Sequence, residues 1–334
     1  MRGHLTTVIV AGLLATSLAL AGCSGTSSQS GSQSGSQSGS ADAQSGAPTV
    51  DRSGTGNFPA VTGAYGQTPT IAAGSGTEPT QILAKTITQG TGAVVGEGDA
   101  VLANYSGSLW NGTSFDSSFT SGSPVAFSLG KVIEGWKYGL AGQHVGDRVE
   151  LVIPSTWGYG STGSGDAQSG KQATIPANAT LVFVVDIVGT FDPTDTSALK
   201  TATATKDALP TGVSVTGDLG AEPKIAFSGS TQPKTTETVI AKGTGATVTS
   251  TDYVVYHYTA TYSKTLTYAY STWTSGAQVS GRGVSQLVGQ TVGSRILLTT
   301  APTGTSSSSQ SGDPGISEAT LMVVDIVGVL HAKS

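Results

Sequence analysis

The chain has one cysteine and four histidines in 334 residues, and only 11% of its residues are charged. Each shortage closes a class of function. Cys23 is the single thiol, so neither an intrachain disulfide nor a cysteine-built zinc site can be assembled. His4, His144, His257 and His331 are scattered without ligand spacing, and no metal is expected. The net charge is −5, with no basic stripe along the sequence. The electrostatic footprint that a phosphate backbone demands is missing, which excludes nucleic acid as a partner. Gly90-Thr91-Gly92 precedes no helical pattern and lacks the lysine of a phosphate loop, so no cofactor is implied. What is abundant is glycine, 47 residues, together with long Ser/Thr-rich stretches. That composition suits short strands, turns and linkers better than amphipathic helices.

At the N-terminus Arg2 precedes an apolar run from Leu5 to Leu20, which reads as an export signal. A bilayer-crossing helix needs about 20 apolar residues, and this run is shorter and interrupted by small and hydroxyl residues. It ends in Leu20-Ala21-Gly22-Cys23, which resembles the bacterial lipobox. The resemblance implies removal of residues 1–22, a lipid on Cys23, attachment to the membrane through that lipid, and an extracytoplasmic location. Residues 23–57 are dominated by Ser, Gly and Gln and are expected to form a disordered tether. A Gly/Ser chain of that length spans on the order of 30 Å.

Past the tether the sequence repeats. Val61-Thr62-Gly63-Ala64-Tyr65-Gly66 recurs as Val215-Thr216-Gly217-Asp218-Leu219-Gly220, and Gly90-Thr91-Gly92-Ala93 as Gly243-Thr244-Gly245-Ala246. Val145-Gly146-Asp147-Arg148 returns as Val292-Gly293-Ser294-Arg295, and Val185-Asp186-Ile187-Val188-Gly189 as Val324-Asp325-Ile326-Val327-Gly328. The offset falls from 154 at the first motif to about 140 near the last, so the second copy has shorter loops. The repeat places one unit at residues 58–191, a linker at 192–208 and a second unit at 209–331. Val101–Tyr105, Arg148–Ile153 and Leu181–Val188 are β-rich. In Arg148–Ile153, Val149, Leu151 and Ile153 alternate with Arg148 and Glu150, which predicts one buried face. Gly135–Ala141 suggests a short helix with Trp136 and Leu140 on one side.

Asn104-Tyr105-Ser106-Gly107, Phe115-Asp116-Ser117-Ser118, Leu129-Gly130 with Val132-Ile133-Glu134-Gly135-Trp136, Ile153-Pro154, Gly158-Tyr159-Gly160 and Ile175-Pro176-Ala177-Asn178-Ala179-Thr180-Leu181 follow one another in order. No single segment is specific. The ordered set, across residues 81–191, resembles the FKBP family of peptidyl-prolyl cis-trans isomerases. The resemblance implies an α+β fold of two FKBP-like domains, each a half-wrapped antiparallel sheet around one short helix. It implies proline-containing exported polypeptides as substrates, macrolide binding, and no cofactor. By resemblance Trp136 floors the pocket, with Tyr105, Phe115, Phe127, Val132, Ile133, Ile175 and Phe183 around the proline ring. The Ile133 N–H and the Tyr159 hydroxyl receive substrate carbonyls, and Asp116 faces the carbonyl that rotates.

The sequence also departs from the family. Val125 stands where a second pocket phenylalanine is frequent, Thr120 and Ser121 where an Asp and an Arg often flank the site, and Trp157 where a tyrosine is common. In the second unit the repeat register sets Tyr268-Ala269 opposite Phe115-Asp116, Gly283 opposite Trp136, and Ser306-Ser307-Ser308-Ser309 near Tyr159. Floor, carboxylate and hydroxyl are thereby lost. The second unit is expected to keep the fold without the site. A surface-displayed binding or chaperone module with vestigial isomerase activity is the alternative function.

Overall fold

The structure, a computed structural model, describes residues 46–164, 175–266, 268–302 and 318–331. The expected signal peptide, Cys23, the tether as far as residue 45 and the Ser306–Ser309 run lie outside the described residues.

The first half contains β1 (Val50–Asp51), β2 (Val61–Thr62), β3 (Thr70–Ile71), β4 (Ile82–Thr88), β5 (Ala100–Leu109), β6 (Ser114–Ser117), β7 (Val125–Ser128), α1 (Glu134–Leu140), β8 (Arg148–Ile153) and β9 (Leu181–Phe191). A one-turn helix, α2 (Ser197–Lys200), separates it from β10 (Thr203–Ala204), β11 (Val213–Thr216), β12 (Lys224–Phe227), β13 (Thr236–Lys242), β14 (Tyr253–Tyr262), β15 (Tyr268–Ser271), β16 (Gln278–Arg282), β17 (Arg295–Thr300) and β18 (Thr320–Leu330). The first sheet runs β1-β4-β8-β9-β5-β6, with β7 beside β5, and the second runs β10-β13-β17-β18-β14-β15, with β16 beside β14. Adding nine to each strand number of the first sheet reproduces the second. Hairpins β2–β3 and β11–β12 complete the correspondence. Only β1 with β4 is parallel; every other described strand pair is antiparallel.

Three expectations need correction. All six residues of β8 are buried, where alternation predicted one wet face. The outer face of the sheet is covered by the chain that precedes it. Arg148, fully buried, pairs with Asp186 at 2.6 Å and donates to the Gly63 and Gln67 carbonyls at 2.6 and 2.7 Å. The Gly66 N–H returns to Asp186 at 2.7 Å, and the Tyr65 hydroxyl donates to the Ile187 carbonyl. The second unit repeats the clamp with Arg295, Asp325 and the Gly217 and Ala221 carbonyls. Gly63 and Gly217 sit at φ +102° and +109°, the left-handed region that disfavours side chains. The repeated Val-Thr-Gly motif is therefore the turn that delivers carbonyls to a buried guanidinium, whose charge is tolerated because it is paired and hydrogen-bonded.

The second correction concerns boundaries. The tether was expected to run to residue 57, yet Val50 and Asp51 pair with Ile82 and Leu83, so ordered structure begins earlier. The linker, likewise, contains α2 and β10, and β10 pairs with β13. The third concerns the helix. Each unit was expected to wrap one, but among the described residues only the first does. The Leu129 N–H bonds the Asp99 carbonyl and the Gly283 N–H bonds that of Asp252; the Val95 N–H bonds the Gln143 carbonyl and the Val248 N–H that of Gln290. From these matched bonds, 14 residues separate Leu129 from Gln143, and seven separate Gly283 from Gln290. The seven missing residues lie between Leu129 and Gln143, and every placement of such a gap includes Trp136. Tyr256, buried in the core of the second unit, stands at the register of Ala103, since each pairs with the matching isoleucine, Ile326 or Ile187.

The two units meet through one apolar cluster, in which Ala100 and Leu102 of β5 join Tyr253 and Val255 of β14, with Val327 and Leu330 of β18. Ala100 and Leu102 occupy the registers of Tyr253 and Val255, so both units contribute the same face of the same strand.

Candidate functional site

The inner face of the first sheet curls around α1. Gly135 and Gly139 let the helix lie against β8, since a Cβ on Gly135 would stand 2.3 Å from Ile153 and one on Gly139 2.8 Å from Leu151. At its C-terminal end three carbonyls, of Tyr138, Gly139 and Ala141, accept from the Arg52 guanidinium at 2.8 to 3.1 Å. A cation there satisfies orphan carbonyls and the negative end of the helix dipole together. Arg52 was missed in the sequence. Its signal was the Val50-Asp51-Arg52 interruption of an otherwise Ser/Gly/Gln-rich stretch.

Held this way, Trp136 is fully buried at the centre of an aromatic box. Its ring lies 5.5 Å from Tyr105, 5.1 Å from Phe127 and 5.3 Å from Phe183, all edge-to-face. Phe115 meets Phe183 edge-on at 5.5 Å, and Tyr105 meets Phe127 at 5.5 Å. Ile133, Ile175 and the half-buried Val132 and Tyr159 pack on the same cluster. Every residue the sequence assigned to the floor and walls is thus in one cluster. Val125 and Trp157, two of the departures, also pack against it. Thr120 and Ser121 point back instead, onto the carbonyls of Ser117 and Ser118.

Polar groups are few and specifically placed. The Tyr105 hydroxyl donates to Asp116 Oδ2 at 2.6 Å, a charge-assisted bond. Burial pushes the Tyr105 phenol far above its ordinary value, and the bond to Asp116 pushes it further. Burial also raises the Tyr159 phenol, to about 12, with the Asp116 charge adding to the effect. Tyr159 stays protonated near neutrality and its buried hydroxyl has no partner among the described residues. Ile133 precedes α1 in an extended conformation, and its N–H likewise meets no described acceptor. Ser118, also missed in the sequence, takes the Tyr105 N–H on its hydroxyl at 2.9 Å and ties β5 to the chain leaving β6.

The second unit has the frame without the box. The pairing of β14 with β15 sets Tyr270, not Ala269, at the register of Asp116, one residue on from the expected match. Gly283 takes the place of Leu129, not of Trp136; Trp136 has no counterpart because the segment carrying it is absent. Tyr258, at the register of Tyr105, stacks on Tyr270 at 5.5 Å where Tyr105 bonds a carboxylate.

Residues 92–188 match the family model described as FKBP-type peptidyl-prolyl cis-trans isomerase. That stretch holds all the aromatic walls and both unspent donors. The first unit belongs to the FKBP family. The chain is 42% identical over 94 residues to FK506-binding protein 2 of Dictyostelium discoideum, covering 28% of this chain and 65% of that protein. It is 37% identical over 112 residues to the FKBP-type isomerase FkpA of Escherichia coli, covering 34% of this chain and 38% of that protein. A crystal structure of a peptidyl-prolyl cis-trans isomerase from Pseudomonas syringae matches at 33% identity, covering 33% of this chain and 76% of that one, with a TM-score of 0.30. The chain spans about two-thirds or less of the curated relatives it matches, and the family-model match lies within the first unit.

Proposed function

We propose that the protein is an extracytoplasmic peptidyl-prolyl cis-trans isomerase that helps exported polypeptides fold, anchored by a lipid on Cys23. In this reading the FKBP unit is the catalyst and the second unit is a degenerate FKBP-like domain. One observation carries the isomerase reading: an aromatic box around Trp136, with two hydrogen-bond donors, the Ile133 N–H and the Tyr159 hydroxyl, left without partners among the described residues.

Rotation about an X-Pro bond is slow because the amide must surrender its resonance, a barrier of about 18–20 kcal/mol for an ordinary peptide. No bond is made or broken, so neither nucleophile nor metal is required. A catalyst has to fit the twisted amide better than either planar form. The twisted amide has lost charge separation, and an apolar enclosure favours it over the polar planar forms. The box supplies that enclosure for the proline ring. The Ile133 N–H holds one substrate carbonyl and the Tyr159 hydroxyl a second, while Asp116, fixed by Tyr105, faces the carbonyl that turns. An apolar residue before the proline gains most from Phe115 and Phe183. The test is the cis/trans exchange rate of an X-Pro tetrapeptide, followed by protease-coupled release. Acceleration by the protein, lost on Trp136→Ala in a folded chain, supports the assignment. A rate equal to that in buffer at micromolar protein refutes it.

A further inference from the structure

A unit that has lost its own pocket still touches the other unit at a place that matters for the pocket. Strand β6 carries Phe115 and Asp116, and β7 carries Phe127; the loop Ser118–Pro124 joins them. Within itself the loop is held by the Thr120 and Ser121 hydroxyls and by the Gly122 N–H on the Phe119 carbonyl at 3.2 Å, all short-range. Its far end is held from the second unit. The Tyr253 hydroxyl donates to the Pro124 carbonyl at 2.9 Å, and Arg282 Nη1 donates to the Ser123 hydroxyl at 2.7 Å. Tyr253 is buried in the cluster between the units, against which Ala126 of β7 also packs; Arg282 is exposed.

We infer that Tyr253 and Arg282 are positioning residues for the pocket of the FKBP unit, holding the β6–β7 loop so that Asp116 and Phe127 keep their places. This rests on the proposed isomerase reading for its effect on turnover, and on geometry alone for its effect on the loop. With its near end tied to β5 through Ser118 and its far end free, the loop samples more conformations, and a pocket present in a fraction of the molecules binds weaker by that fraction. Tyr253 is the stronger anchor because its bond is partly buried, whereas Arg282 acts in water. The arrangement also gives a reason for retaining a unit whose own pocket is gone: it works as a brace.

The test uses the full chain with Tyr253→Phe, Arg282→Ala, the double variant and Arg282→Lys. Tyr253→Phe keeps the ring in the cluster and removes only the hydroxyl. Amide hydrogen exchange at residues 119–122 is expected to quicken about two- to tenfold in Tyr253→Phe and further in the double variant, as loss of one hydrogen bond allows. The kcat/KM for an X-Pro peptide should fall by a similar factor, through KM more than kcat, with the thermal midpoint nearly unchanged. Arg282→Lys should recover most of what Arg282→Ala loses. Wild-type exchange and turnover in the double variant overturn the inference. A wild-type chain that accelerates no X-Pro peptide refutes the isomerase reading, and loop exchange then still decides whether the brace exists.

Discussion

Trp136 is fully buried, in edge contact with three rings, and its indole N–H has no acceptor among the described residues. Those facts pull in opposite directions when the residue is replaced. Truncating a buried Trp to Ala typically costs about 3–5 kcal/mol, and each aromatic edge contact contributes about 0.5–1.5 kcal/mol. Removing an unsatisfied buried donor, however, returns roughly 1–3 kcal/mol. Trp136→Ala is therefore expected at the low end, about 3 kcal/mol. Trp136→Phe, which keeps a ring against Tyr105, Phe127 and Phe183 and discards the orphan N–H, should change stability by no more than about 1 kcal/mol. Urea unfolding followed by far-ultraviolet circular dichroism measures both without relying on the residue being removed. Turnover should rank differently: a modest loss for Trp136→Phe, and more than tenfold for Trp136→Ala, which loses the floor. If Trp136→Phe costs over 3 kcal/mol, the indole N–H is bonded in solution. If folded Trp136→Ala turns over like wild type, the bond does not rotate in this box.

Tyr159→Phe should slow the isomerisation about two- to tenfold, the worth of one neutral hydrogen bond, and the rate should be flat between about pH 6 and 8, because rotation about the bond requires no residue to give or take a proton; a bell-shaped profile contradicts this. Glu150 is buried with one carboxylate oxygen unpartnered among the described residues, and burial lifts it from 4.5 to about 7, the facing Lys85 only partly opposing the shift. The folded state thus holds this proton more tightly than the unfolded chain, so stability falls as pH climbs from about 4.5 through 7. Glu150→Gln should abolish that decline and stabilise the protein at pH 8 by about 1–3 kcal/mol, read from urea midpoints across pH. Cys23→Ala should release the exported protein into the soluble fraction, and persistence in membranes argues for a plain hydrophobic anchor.

The box was readable because its residues lie in short motifs whose order the resemblance preserves: Tyr105, Phe115, Phe127, Trp136 and Phe183 all come together. The repeat was equally readable, and its matched motifs place the Arg148–Asp186 and Arg295–Asp325 pairs at equivalent positions, although the pairing itself was not read from the sequence. What composition and alternation misjudged was burial by distant chain. Nothing within β8 says that residues 63–67 will cover Arg148, and a Ser/Gly-rich stretch hides the few residues of β1 that pair. The second-unit register slipped because a seven-residue deletion and a one-residue shift at Tyr270 leave the flanking motifs nearly aligned. Matched backbone hydrogen bonds locate such gaps, whereas residue identities do not.

Arg52 stands one residue past β1 and holds the C-terminal end of the helix on which Trp136 sits. The chain ahead of β1 therefore enters the fold through a ladder two residues long and one guanidinium. Tension on that chain loads α1 as directly as it loads the sheet, and the end of the helix is where the pull is felt. Under the proposed anchoring through Cys23, the pocket helix would be the mechanical end-fitting.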